Sequence, residues 1–127
     1  SFSLAIAVTP QRLLYVGDKA SGAFRILDVD GNLIATGSND LANFELPSCA
    51  IIDDDNRLVV VDGKKKCVRI FDATGHQVAS FGDKVLVFPT GITFDRMNQR
   101  FLVAEHGGLT AGSDSAKTMI HVFDKKG

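Results

Sequence analysis

One four-residue pattern occurs three times along the chain: Asp28-Val29-Asp30-Gly31, Asp72-Ala73-Thr74-Gly75 and Asp124-Lys125-Lys126-Gly127. The step from Asp28 to Asp72 also carries Asp18 onto Asp62, and one residue more carries Arg12 onto Arg57; the third copy supplies Arg100 and Glu105. Phe44-Glu45-Leu46-Pro47 and Phe88-Pro89 stand before the second and third copies, and the third is lengthened by an insertion around Gly107 to Ala116. A repeat of roughly 40–50 residues is too short to bury both faces of a twisted sheet by itself, so successive copies must stack.

Inside each copy the apolar runs have strand length, as in Leu58-Val59-Val60-Val61 and Phe101-Leu102-Val103-Ala104. They are rich in β-branched and aromatic residues and bounded by Gly, Asp, Asn or Pro, and no stretch of a dozen residues holds a helical period. The chain reads as all-β. Strand a ends at Val8, Ile52 or Phe94, strand b at Val16, Val61 or Ala104, and strand c at Leu27, Phe71 or Phe123. Strand d is Leu33 to Thr36 or Gln77 to Phe81, and the third copy has none. The Asp-x-x-Gly pattern is then the c–d turn, with the Asp side chain accepting backbone N–H groups and the Gly taking the left-handed conformation. Four short antiparallel strands per repeat predict β-propeller blades at about 3–40, 44–84 and 88–127.

Strings within these blades, Pro89-Thr90-Gly91-Ile92-Thr93-Phe94-Asp95, Arg57-Leu58-Val59-Val60-Val61-Asp62, and Val68-Arg69-Ile70-Phe71-Asp72 with Gly75 and Phe81-Gly82, resemble successive parts of the NHL repeat. The resemblance covers essentially the whole chain. It implies a β-propeller, usually six-bladed, that serves mainly as a binding platform. The family includes RNA-binding propellers of tripartite-motif proteins, substrate-binding domains of ubiquitin ligases and extracellular sensors, with a minority of enzymes such as a metal-dependent amidating lyase. Three repeats fall short of a ring, which takes about 4–8 blades. Either further blades or a second, self-associating copy is expected to complete it, and a fragment of a propeller lyase or hydrolase is the enzymatic alternative.

Repetition also filters candidate sites, because a single site seldom needs the same residue in every blade. Asp28, Asp72 and Asp124, the turn glycines, and Arg12, Arg57 and Arg100 are read as structural on that ground. Asp53-Asp54-Asp55-Asn56 has no later Glu at calcium-loop spacing and sits in an a–b hairpin, so solvated turn carboxylates are the preferred reading. His76, His106 and His121 are scattered, and Ser113-Asp114-Ser115 near His106 is a polar loop. Cys49 and Cys67 lack paired spacing and are read as reduced, half-buried thiols. No catalytic residue, metal or cofactor is expected.

What does not repeat is the content of the b–c loops. Lys19, Arg25, Lys64, Lys65, Lys66, Arg69 and Lys117 lie in or beside them and are expected to converge on one face. The opposite face collects Asp28, Asp30, Asp53 to Asp55, Asp72 and Asp95, partly offset by Arg12, Arg57, Arg96, Arg100, Lys125 and Lys126. Over the whole chain 14 Lys and Arg nearly balance 15 Asp and Glu, for a net charge of −1, so attraction to nucleic acid or membrane must come from such local patches. With no apolar run of membrane-span length and no signal-like start, a cytoplasmic chain is expected, with no membrane partner. A protein or peptide partner on the b–c face is the preferred reading, supported by the long Gly/Ser/Thr loop at 106–118. Single-stranded RNA held by the lysines is the alternative. Of the aromatic residues near that face, Phe24, Phe44 and Phe88, the last two are expected to pack between blades.

Overall fold

The computed structural model describes residues 3–18, 23–36, 44–73, 75–106 and 118–125. They form eleven strands in three antiparallel sheets and no helix. The first sheet holds β1 (Ser3–Val8), β2 (Leu14–Asp18), β3 (Ala23–Leu27) and β4 (Leu33–Thr36), in that spatial order. The second holds β5 (Pro47–Ile52), β6 (Leu58–Asp62), β7 (Cys67–Phe71) and β8 (Gln77–Phe81). The third holds β9 (Pro89–Asp95), β10 (Arg100–His106) and β11 (Thr118–Asp124). Each sheet is a simple meander, and β5 packs beside β1 on one side and β9 on the other, so the three blades share an inner edge. The third blade has no fourth strand among the described residues.

The strand sequences follow from where each blade sits. β6 belongs to the middle blade and is covered on both faces, so all five of its residues are buried and it reads as an unbroken apolar run. Leu58 and Val60 face blade 1, while Val59 and Val61 face blade 3. β10 belongs to an end blade, and its buried Phe101, Val103 and Glu105 alternate with partly exposed Leu102 and Ala104.

Aromatic rings fill the two seams. Phe24, Phe44 and Phe71 join blades 1 and 2, with Phe24 and Phe44 edge to face at 5.2 Å. Phe81, Phe94, Phe101 and Phe123 join blades 2 and 3 at centroid distances of 4.7 to 5.6 Å. Each such ring contributes roughly 1.5–3 kcal/mol through burial.

The c–d turns are built as their pattern predicts. Asp28 Oδ1 accepts the N–H groups of Asp30 and Asn32, both at 2.9 Å, and Asp72 Oδ1 accepts that of His76 at 3.0 Å. Gly31 and Gly75 have φ of 87° and 88°, where a Cβ would be strained. The N–H groups of Asn32 hold the Asp28 carboxyl below its usual range. Gly127 of the third copy lies outside the described residues.

The three arginines read as equivalent from the sequence are not all equivalent in the fold. Arg57 and Arg100 bond the first Asp of their a–b turns, Arg57 to Asp53 at 2.7 Å and Arg100 to Asp95 at 3.0 Å. Arg12 is not their counterpart. It stands at φ 66°, the left-handed place that Asn56 and Gln99 occupy in the other two turns, one residue earlier. The turn geometry, closed in blade 1 by the Thr9 N–H on the Leu13 carbonyl and in blade 2 by the Asp53 N–H on the Arg57 carbonyl, sets that register.

Candidate functional site: the b–c loop rim

Two carboxylates at the ends of the b strands shape this rim. Asp62, fully buried, accepts the N–H of Glu45 at 2.9 Å and of Leu46 at 3.1 Å from the connection leading into its own blade. The same carboxylate accepts the N–H groups of Lys64 and Lys65 at 3.1 and 3.0 Å. Glu105 does the equivalent work in blade 3, its side chain 1% exposed and its Oε1 accepting the N–H groups of Val87 and Phe88. Its Oε2 meets His121 Nε2 at 2.6 Å. Burial raises the Glu105 carboxyl, but the two N–H donors and His121 outweigh burial and hold it below its ordinary value. The Gly63 N–H on the Leu46 carbonyl and the His106 N–H on the Phe88 carbonyl complete two matching clasps.

These clasps align the connections residue by residue. Phe44 and Leu86 are buried counterparts in the first and second seams, and Leu46 and Phe88 are the counterparts that precede proline. The expectation that Phe88 packs between blades is therefore overturned: it is 52% exposed, and Leu86 fills the seam in its place. Leu86 sits over Gly82, whose φ of 86° and lack of a side chain permit the tight turn; a Cβ there would lie 2.6 Å from Leu86 Cδ1. Val85 and Val87 are also about half exposed, so three apolar side chains stand on a backbone pinned from beneath.

The β6–β7 turn lies beside them. A Cβ on Gly63 would sit 3.2 Å from the Pro89 carbonyl oxygen and 3.3 Å from Leu46 Cδ2. Lys64, Lys65 and Lys66 follow, all exposed, with Lys66 at φ 60° and its N–H on the Asp62 carbonyl at 2.9 Å. Glu45, also exposed, offsets part of their charge.

Arg25 and Arg69 do not join them. Arg69 lies in the seam between blades 1 and 2, its guanidinium 4.2 Å from the Phe44 ring centre and its Nε donating to Gln77 at 2.8 Å. Arg25 is the same position of blade 1, paired with Val16, and stands exposed on that blade's outer face. Both are strand residues whose direction follows side-chain alternation, which turns them sideways rather than toward the loop rim. Lys19 and Lys117 lie outside the described residues, as does most of the 106–118 loop. Phe24 is buried in the first seam.

On the opposite rim Arg57, Arg100 and Lys125 each engage carboxylates of the a–b turns. Asp53, Asp54 and Asp55 form a cluster with spacing fit for a metal ion. Asp53 accepts Arg57, however, and Lys125 from blade 3 contacts Asp54 at 2.9 Å and Asp55 at 2.7 Å. Gln99 donates to Asp54 at 2.8 Å. Lys125 and Gln99 hold the Asp54 carboxyl below its usual range, and Asp55 and Asp54 raise Lys125. Cys49 and Cys67 are unpaired and half-buried, and burial, with Asp62 nearby, pushes the Cys67 thiol up.

No protein-family model matches the sequence, and no curated protein is similar to it in sequence. Solved structures are similar in fold. Hydrazine synthase of Kuenenia stuttgartiensis superposes on 91% of this chain with a TM-score of 0.67 at 19% identity, and a streptogramin B lyase on 96% with a TM-score of 0.67 at 14% identity. This chain spans 32% and 40% of those two chains. Three stacked antiparallel meanders sharing an inner edge, and likeness to larger propeller proteins, make this chain three blades of a β-propeller.

Proposed function

We propose that the chain is a binding module with no chemistry of its own, and that its b–c loop rim takes a protein or peptide segment carrying apolar side chains next to carboxylates. The observation that carries this reading is that Val85, Val87 and Phe88 stand half-exposed on a connection pinned by Glu105, and that Gly63, which opens the Lys64–Lys66 turn, lies against the carbonyl of the next residue, Pro89. Rigid apolar groups lose little entropy on binding, and adjacent ammonium groups favour an acidic partner and steer its approach. A role as part of a lyase or another enzyme has less support, because the clustered acids at 53–55 are engaged by Arg57, Lys125 and Gln99.

Single-stranded RNA is the second reading, favoured by the exposed Phe88 ring and three exposed lysines on the same rim. It is placed second because Phe88 is the one exposed aromatic ring among the described residues of that rim, whereas strand binding stacks successive bases. Selection from a displayed random peptide library, followed by titration of the winners and of a random single-stranded RNA pool at two salt concentrations, tests both. Enriched peptides should combine acidic and apolar residues, and Phe88→Ala should weaken them about tenfold, equivalent to ~1.4 kcal/mol. RNA binding that falls steeply with salt and disappears on replacing Lys64, Lys65 and Lys66 by Ser would reverse the order of the two readings.

A further inference from the structure

The outer face of blade 1 is built as a seam face, and among the described residues nothing covers it. Ile6, Val8, Leu14 and Val16 of blade 1 occupy the places of Ala50, Ile52, Leu58 and Val60 in blade 2, as the strand registers show. In blade 2 that set is packed against blade 1, with Ala50 7% exposed; in blade 1, Ile6 is 60% and Val8 56% exposed. Arg25 likewise stands where blade 2 has the seam residue Arg69 and blade 3 has His121.

The outer face of blade 3 is the complementary kind. Leu102, Ala104, Ile120 and Val122 occupy the places of Val59, Val61, Val68 and Ile70, which in blade 2 face the next blade. This face is hollow, with a cleft of about 360 Å³ lined by Gly91, Thr93, Leu102, Ala104 and Ile120. A Cβ on Gly91 would meet nothing within 4 Å. The large residue on the blade 1 face, Ile6 where blade 2 has Ala50, is thus matched by small residues on the blade 3 face.

The a–b rim repeats the match with different chemistry. In the blade 2–3 seam, Lys125, the residue after the c-strand Asp, reaches Asp54 and Asp55 in the preceding blade's a–b turn. The same two places at the open ends hold Val29, after Asp28, and Arg96-Met97, after Asp95. Met97 is 94% exposed and Val29 about half exposed. An ion pair in the existing seam is replaced by an apolar pair at the ends.

We infer that the two bare faces are the halves of one seam, and that a second copy of this chain covers both, blade 1 of each copy on blade 3 of the other, so that two chains close one ring. The junction has a direction, since Ile6 and Val29 lie on one side and the Gly91 hollow and Met97 on the other, and closed association buries every such face.

Sedimentation velocity across a concentration range, on the wild-type chain and on Ile6→Asp and Gly91→Trp, tests this. Wild type should sediment at twice the chain mass and each variant as a monomer. An equimolar mixture of the two variants should regain a dimer, because one intact junction then exists between the wild-type blade 1 face of one and the wild-type blade 3 face of the other. A second pair guards against misfolding: Val29→Lys should weaken the dimer, and adding Met97→Glu in the same chain should restore it by copying the Lys125 contact. A monomeric wild type, a dimer untouched by Gly91→Trp, or a mixture of variants that stays monomeric would each overturn the inference.

Discussion

Glu105 and Asp62 perform one task with side chains of different length, and the difference lies in what else each holds. Asp62 also fixes the Lys64 and Lys65 amides of the following turn, whereas the longer Glu105 reaches a second partner, His121. Because the folded state keeps Glu105 ionised below its ordinary 4.5, it binds fewer protons there than the unfolded chain does. The resulting stability is complete above about pH 4.5 and is lost as the pH falls through the lower folded value. Glu105→Gln should cost about 1–3 kcal/mol at neutral pH, since the Val87 and Phe88 amides lose a charged acceptor. The cost should shrink in acid, read as urea midpoints of variant and parent converging below about pH 4.5; a constant gap would show that Glu105 carries no pH dependence.

At the level of strands and connections, Phe44 and Leu86 are the plugs of successive seams, and the first is the larger because blade 1 offers Phe24 as its neighbour. Phe44→Ala should destabilise by about 3–5 kcal/mol and Phe44→Leu by clearly less, measured by urea unfolding, because leucine already serves in the second seam. If the two variants cost the same, the volume of the plug is not what matters. Strand number, order and the c–d turns are legible in the sequence because period-two runs and Asp-x-x-Gly are local signals. The b–c rim is legible only in part. Lys64 to Lys66 sit in a turn and can be placed, but Arg25 and Arg69 are mid-strand, where facing is decided by which blade lies on which side. Pairing Phe44-Glu45-Leu46-Pro47 with Phe88-Pro89 by their aromatic rings hides the true counterparts; counting back from Asp62 and Glu105 instead aligns Phe44 with Leu86 and leaves Phe88 outside. Arg12 is mismatched for the same reason, an identity set against a register fixed by turn hydrogen bonds.

For the molecule as a whole, stability should be graded from the middle outward. β6 alone is buried on all five residues, with blades on both sides and strands on both edges, so its amides should exchange with solvent more slowly than those of β4 or β11 at the outer edges of their sheets. Hydrogen exchange resolved by mass spectrometry checks the order, and equal protection across the sheets would mean the three blades open as one unit. The clasps have a further consequence, for how such chains grow. Asp62 secures the segment that enters its own blade, and Glu105 does the same for the next, so the second and third repeats each carry the fastening for their own point of attachment. A tandem duplication of one repeat therefore delivers a blade already equipped to dock. Lengthening can also occur beyond the clasp, after His106, without loosening it. Copy number and loop length are free to change independently, and the architecture is heritable one blade at a time.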